Sequence, residues 1–315
     1  MRQPRLVSRL HRQAIRQHAS SPHDVHLMVC EMSEAIQEKP YLVATAVVAL
    51  LAIVYYPTFA WMADRWMARD SYYSHGLLIP LVTAFLIWQR REQIAAAEVR
   101  SSAWGLAWLG LGVLLQLASA FWRIYFTSGF SMLFVILGLV LFVFGRGITR
   151  QVLFPLVFLV FMIPLPMSVI ADVSLKLKLL AAYCAVKVIS LGGIIAVQEG
   201  SMIHLTNCTM TVGDVCSGLR SIISLLALGA VFGYVRGLRW PYHLALFISS
   251  VPIALCANIA RIVGLCLVAY FQGAERATGV VHDISGFLVF AVALVMLLGM
   301  EKVIAAESRC GVKNA

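Results

Sequence analysis

Residues 125–144 read YFTSGFSMLFVILGLVLFVF, an uninterrupted run without a charged side chain. A helix of about 20 apolar residues spans the roughly 30 Å hydrocarbon core of a bilayer, so this run predicts a transmembrane helix. Similar runs recur along most of the chain after residue 40, and 61% of its 315 residues are hydrophobic whereas 13% are charged. The sequence therefore predicts an all-α polytopic membrane protein with about eight transmembrane helices.

The other apolar runs place the remaining helices. We expect them over residues 41–61, 76–88, 103–122, 152–163, 217–234, 241–271 and 283–300, with a short polar link over 62–70. The run 241–271 exceeds one vertical crossing, and the sequence leaves open whether it forms one tilted helix or a helix broken near Asn258. Between the fifth and sixth spans, two prolines, Pro164 and Pro166, end a helix. A surface helix, a break at Gly192-Gly193 and a Thr-rich extended segment then predict a small extracytoplasmic cap.

Basic residues mark the loops between the spans. Most of the 25 Lys and Arg lie in residues 1–40, 89–102, 145–151, 235–240 and 301–315. The positive-inside rule makes these segments cytoplasmic, which places both termini in the cytoplasm of a protein of the plasma (inner) membrane.

This topology predicts a basic tail at 1–40, a single transmembrane helical domain at 41–300 and a second tail at 301–315. A secretory signal peptide is the rival interpretation of the N-terminus, but the polar part is too long and no Ala-x-Ala-like site follows Trp61. The basic residues are scattered, so the net charge of +10 does not indicate a nucleic-acid-binding face.

Three polar segments fall together at the opposite, outer face in this topology. They are Cys216-Ser-Gly-Leu-Arg-Ser221, Asn258-Ile-Ala-Arg261 and His282-Asp-Ile-Ser-Gly286. Placing an arginine inside a bilayer costs at least about 2.5 kcal/mol, so Arg220 and Arg261 need a partner or a task there. We therefore place the candidate functional site in these segments.

The residue types in these segments suit acyl transfer. Cys216 begins the sixth span, with Asp214 or Ser217 as its cap, and a helix N-terminus favours a thiolate. His282 is the candidate general base and acid, and the permanent charge of Arg261 suits an oxyanion. We predict Cys216, Arg261 and His282 as catalytic, and the supporting residues are Arg220, Asn258, Asp283, Ser217 and His75.

Other interpretations of these residues stay open. Cys208 and Cys216 form a disulfide in one alternative, and Arg261 forms only a structural ion pair with Asp214 or Asp283 in another. The seven cysteines contain no CxxC pair, so we expect neither a metal site nor a cofactor.

The polar segments, together with two earlier ones, resemble the exosortase/archaeosortase family of membrane-embedded cysteine proteases and transpeptidases. The earlier segments are Tyr73-Ser-His-Gly-Leu-Leu-Ile-Pro80, and Phe154-Pro-Leu with Met162-Ile-Pro-Leu-Pro166. The resemblance implies Cys216 as nucleophile, with Arg261 and His282 as the other catalytic residues. It also implies substrate proteins with a C-terminal sorting signal of the PEP-CTERM type: a short motif such as Pro-Glu-Pro, a transmembrane helix and a basic cytoplasmic end.

Cleavage of such a signal gives a thioester on Cys216, followed by transfer to a cell-surface acceptor or to water. Two other function classes compete with this thiol protease. A multi-helical transporter would use intramembrane arginines to bind an anionic solute, although no inverted repeat is evident. A non-catalytic factor for exopolysaccharide or surface-protein assembly would not need its cysteine. Membrane lipid is the remaining expected partner, and no nucleic acid is expected.

Overall fold

Long apolar runs form the helices of this protein, because a helix satisfies its own backbone hydrogen bonds where water is absent. The structure, a computed structural model, describes residues 40–68, 71–213, 217–278 and 280–313, and their side chains except at 40, 41, 43, 278–283 and 309–313. The chain divides into two compact units between Tyr56 and Pro57. The first unit contributes residues 40–56 to the described chain, and the second contains the rest of it, including the candidate site.

The α-helices in the described residues are α1 Pro40–Met67, α2 Leu78–Gln89, α3 Arg91–Ala96, α4 Trp104–Trp122, α5 Tyr125–Phe158, α6 Met167–Leu191, α7 Leu219–Val235, α8 Trp240–Gln272, α9 Ala274–Thr278 and α10 Val280–Lys313. Two 3-10 helices, Ser74–Leu77 and Leu159–Met162, precede α2 and follow α5.

Five helical segments among the described residues are long and apolar enough to cross a membrane: Ala44–Met67, Trp104–Trp122, Tyr125–Met162, Trp240–Gln272 and Ile284–Ser308. Two shorter apolar segments, Ser74–Gln89 and Leu219–Val235, add to these. The predicted class of a polytopic all-α membrane protein is confirmed, and the number of eight crossings stays a prediction. Two of the predicted spans, 125–144 and 152–163, fall in the single helix α5. Gly145 leaves helical geometry between them (φ 77°, ψ −173°).

The structure corrects the predicted bounds of two helices and decides the open question about the run 241–271. Helix α1 continues to Met67 through most of the predicted polar link, since residues 62–67 contain neither Gly nor Pro. The run 241–271 forms one helix, α8, with Pro252 inside it. Helix α10 begins at Val280, before His282, and continues to Lys313 through the predicted C-terminal tail, where Glu301 is buried.

The cap predicted between the fifth and sixth spans consists of α6 and a small antiparallel sheet. Its strands are β1 Ala196–Glu199, β2 Met202–Leu205 and β3 Thr209–Thr211, in the order β1-β2-β3. Ala196 pairs with Leu205, and Met202 with Thr211. The sheet shares a hydrophobic core with α6 and the second half of α8, in which Ile203, Ile189 and Leu265 are buried.

Small residues bring α4 and α5 into close contact. The Oγ of Ser131 donates a hydrogen bond of 2.7 Å to the carbonyl of Gly112. A Cβ at Gly138 would lie 2.6 Å from the backbone nitrogen of Leu109, so glycine is needed for this approach. Such contacts are typical of helix pairs in membranes, where close van der Waals packing replaces the hydrophobic effect.

Candidate active site

Three helices pack around the polar segments of the second half of the chain. Helices α7, α8 and α10 share one hydrophobic core, which contains Leu225, Leu246, Ala254, Ala293 and Leu297. The core fixes which face of α8 meets each neighbour. One turn of α8, which carries Asn258 and Arg261, then contacts the beginnings of both α7 and α10.

Arg261 connects α8 to α10. Its side chain is largely enclosed, with the residue 9% exposed, and its Nε donates a hydrogen bond of 3.0 Å to the Oγ of Ser285. A Cβ at Gly286 would lie 3.4 Å from a terminal guanidinium nitrogen, so the guanidinium packs against the backbone of α10. A buried guanidinium held in this way is a fixed positive charge with several hydrogen-bond donors.

Asn258 connects the same turn of α8 to the beginning of α7. Asn258 is 2% exposed. Gly218, immediately before α7, has a φ of 77°, and a Cβ there would lie 3.1 Å from the Asn258 side chain. Both the left-handed backbone and the close approach favour glycine at this position. The Oγ of buried Ser217 accepts the N–H of Leu219 at 3.4 Å, which helps to shape this turn.

His75 reaches α7 from the 3-10 helix before α2. Its Nδ1 lies 3.2 Å from the Oγ of Ser224, within hydrogen-bond distance. Arg220 lies one turn before Ser224 on the same face of α7. The Nε2 of His75 and the Nε of Arg220 are both buried and make no hydrogen bond of good geometry among the described residues, although the imidazole of His75 lies close to the backbone of Phe161. Buried polar atoms normally have partners, so these two are candidates for contact with a substrate group.

The two earlier motifs hold His75 in place. The phenolic oxygen of Tyr73 accepts the N–H of Leu165 at 3.2 Å, and burial raises the pKa of Tyr73. The indole N–H of Trp66 donates to the carbonyl of Met162 at 2.9 Å. The segment around residues 73–80 is thus fixed to the proline-containing segment around 162–166, and both support the face of α7.

Comparison with known proteins bears on this arrangement. The sequence profile of the transmembrane exosortase family matches residues 61–299, which include all five segments described above. The chain belongs to the transmembrane exosortase family. No curated protein and no solved structure matches it. The chain is therefore a membrane-embedded protein-sorting enzyme of the exosortase type.

Within this exosortase the structure brings together some of the predicted site residues. Arg261, Asn258 and Ser217 lie at the meeting point of α7, α8 and α10. His75 contacts Ser224 on α7, the helix that also carries Arg220. Cys216 lies outside the described residues, two positions before Gly218 in the sequence. His282 and Asp283 lie in the first turn of α10, and their side chains are outside the described set.

Two features of the exosortase site differ from the sequence prediction. Helix α7 begins at Leu219 with Gly218 as its N-cap residue and without a side-chain capping bond, so Ser217 lies one residue before the cap position. Asp214, the other predicted cap, lies outside the described residues. The sequence analysis also missed Ser285 and Ser224, the partners of Arg261 and His75. Ser285 lies three residues after His282 in α10, and Ser224 lies four residues after Arg220 in α7, spacings that place each pair on one helical face.

Other residues of the exosortase chain take ordinary roles. Cys208 carries a free thiol and packs with buried Cys266 under the cap. In the described part of the chain no group of three His, Cys, Asp or Glu residues is arranged to hold a metal ion. The imidazole of His204 lies on the open face of the sheet, 3.0 Å from a carboxylate oxygen of Glu199.

Proposed function

We propose that this exosortase is a cysteine peptidase and transpeptidase that cleaves C-terminal sorting signals of exported proteins. The observation that supports it best is the buried, oriented guanidinium of Arg261 on the turn of α8 that contacts both Gly218 and Ser285. Cys216 is two residues from Gly218, and two residues of chain extend at most about 7 Å. His282 is three residues from Ser285, a rise of about 4.5 Å in a helix.

The chemistry follows from these three side chains. His282 takes the proton of the Cys216 thiol, and the resulting thiolate attacks the scissile carbonyl. A sulfur–carbon bond forms, and the charge that develops on the carbonyl oxygen is stabilised by Arg261. The carbon–nitrogen bond then breaks, and His282 gives a proton to the departing amine. A thioester remains on Cys216. An acceptor nucleophile or water attacks it while His282 removes a proton, the sulfur–carbon bond breaks, and His282 returns the proton to the sulfur of Cys216.

The substrate in this proposal is itself anchored in the membrane. Its transmembrane helix docks beside the helical bundle, which places the short motif at the outer face and leaves the basic end in the cytoplasm. Both termini of the enzyme are cytoplasmic in this arrangement, and Cys216 lies at the extracytoplasmic face. Binding within the membrane supplies the positioning that a soluble enzyme obtains from a cleft.

Co-expression with a substrate that carries such a signal tests the proposal. We expect Cys216→Ala and Cys216→Ser to abolish the gel shift that reports cleavage, with the enzyme still present in the membrane. Hydroxylamine, which cleaves thioesters, should release the trapped substrate from the unaltered enzyme only. Unchanged cleavage in Cys216→Ala would refute the catalytic role and favour an assembly factor.

Thiol labelling of intact cells tests the orientation. In a Cys208→Ser background, a membrane-impermeant maleimide should modify Cys216, and prior labelling should block cleavage. The Cys208→Ser, Cys216→Ser double variant is the control for labelling at other cysteines. Labelling of Cys216 only after the cells are broken would place it on the cytoplasmic side and refute the proposed topology.

A further inference from the structure

A basic cavity of about 550 Å³ lies between the α3–α4 loop and the middle of α5. Its lining includes three arginines, Arg100, Arg146 and Arg150, together with Ser101 and Ser102. It shares no residue with the site around Arg261. We propose that this cavity binds the phosphate headgroup of an anionic phospholipid.

The charge of the lining favours an anion. The Nε of Arg100 donates a hydrogen bond of 2.8 Å to the carboxylate of Glu98, so the opposite charges of these two residues largely cancel. Arg146 and Arg150 have no ion-pair partner in the described part of the chain, and both are exposed. A phosphate offers several oxygen acceptors to two such guanidinium groups and to the neighbouring serine hydroxyls.

The backbone around the cavity is fixed by the break in α5. At Gly145 the chain leaves the helix, and a Cβ there would collide with the carbonyl of Arg100, so the loop and α5 touch through their backbones. The hydroxyl of Thr149 donates a hydrogen bond of 2.7 Å to the carbonyl of Gly145 and closes the turn. The helical segment after the break starts at Arg146, so the positive end of its dipole adds to the positive charge at the cavity.

The surroundings favour a lipid over a soluble anion. The cavity lies beside the start of α4 and the end of the apolar run of α5 before Gly145, and Trp104 at the start of α4 is 65% exposed. Phe142 and Phe144, just before the break, are also exposed. Exposed aromatic side chains beside basic residues are typical of the headgroup level of a membrane, and basic pockets between helices bind acidic headgroups there. The acyl chains would then lie along the exposed apolar faces of α4 and α5.

Gln151 couples the site to a further helix. It contributes to the cavity wall, and its side-chain oxygen accepts a hydrogen bond of 3.0 Å from Arg90, at the end of α2. A headgroup bound by Arg146 and Arg150 therefore joins a polar network that extends from α4 and α5 to α2. Bound lipid should consequently stabilise the fold as a whole.

The test uses the full chain, purified in detergent and incorporated into nanodiscs of phosphatidylcholine with or without phosphatidylglycerol. Phosphatidylglycerol should raise the thermal unfolding temperature of the unaltered protein, and native mass spectrometry should detect lipid that stays bound. In the Arg146→Gln, Arg150→Gln variant we expect affinity to fall roughly 25-fold, because each basic residue at an anionic surface contributes about a fivefold factor. Arg91→Gln is the matched control, since Arg91 is an exposed basic residue nearby that lies outside the cavity.

Each outcome decides the proposal. Loss of stabilisation and of bound lipid in the double variant, with both kept in Arg91→Gln, supports it. Equal losses in the two variants would show attraction to surface charge in general and overturn it. Stabilisation of the detergent-solubilised protein by inorganic phosphate equal to that by the lipid would assign the cavity to a soluble anion. If the double variant is poorly folded, Arg146→Lys with Arg150→Lys, which keeps the charge, must retain the bound lipid.

Discussion

Replacing Ser285 by alanine removes the hydrogen bond that holds Arg261 in place without touching any of the three proposed catalytic side chains. The bond is 3.0 Å long and joins a charged donor to a hydroxyl in a part-buried setting. Hydrogen bonds to charged groups contribute about 1.5–3 kcal/mol, which corresponds to a factor of roughly 10 to 150 in rate if the loss falls on the transition state. Arg261 makes further interactions, so we expect about a tenfold loss.

The assay is the initial rate of substrate processing in purified membranes, measured over a range of substrate levels. If Arg261 stabilises the oxyanion, kcat should fall with little change in KM, because a substrate docked through its helix does not depend on this bond. Ser285→Thr keeps the hydroxyl and should restore most of the rate. Ser249→Ala is the matched control, since the Ser249 hydroxyl only donates to the carbonyl of Leu246 in its own helix.

Two results would refute this reasoning. Ser285→Ala with the rate of the unaltered enzyme would show that the orientation of Arg261 does not matter for the reaction. A rate loss that follows a fall in thermal stability, equally in Ser285→Ala and Ser249→Ala, would assign the bond a purely structural role. Thermal unfolding of each purified variant, followed by intrinsic fluorescence, separates the two cases.

Three further predictions concern the helical bundle. Arg236→Gln should lower the free energy of unfolding by about 2 kcal/mol, because the buried carboxylate of Glu301, a residue 3% exposed, loses its ion-pair partner at 2.9 Å. A double-mutant cycle with Glu301→Gln that shows no coupling energy would contradict this. Gly138→Ala should destabilise the protein by about 1–3 kcal/mol, because the added Cβ overlaps with α4. At Gly110 an added Cβ meets no atom within 4 Å, so Gly110→Ala should be neutral or stabilising. Equal unfolding temperatures in the two variants would be inconsistent with the packing of α4 on α5. Gly218→Ala should slow substrate processing and cost about 1–2 kcal/mol of stability, since its left-handed backbone disfavours a side chain; normal processing would argue against a role for this turn.

Much of the fold follows from local sequence properties. The apolar runs, the prolines of the 162–166 segment and the glycines at 192–193 predicted the helices, the break and the extended cap in the correct order. Helices α1 and α10 extend further toward the C-terminus than predicted, because polar residues with good helix propensity do not end a helix. Local composition reports where a chain prefers apolar surroundings and is less informative about where a helix ends.

The site was predicted only as a set of segments. Family resemblance and the positions of polar residues singled out Arg261, Asn258 and His75, but not their partners. The bond from Arg261 to Ser285 joins positions 24 residues apart, and the contact of His75 with Ser224 joins positions 149 apart. Such pairs depend on how each helix is rotated about its axis, and that rotation is set by packing against the other helices.

The sequence by itself determined that this chain lies in a membrane, which segments are apolar enough to cross it, and which family it belongs to. These are properties of composition along the chain, and lipid selects them before any helix meets another. The tertiary structure decided that one turn of α8 supports the beginnings of both α7 and α10, and that Gly145 divides α5 beside a basic cavity. Both depend on contacts between distant segments at distances of a few ångströms, which the order of residues alone does not specify.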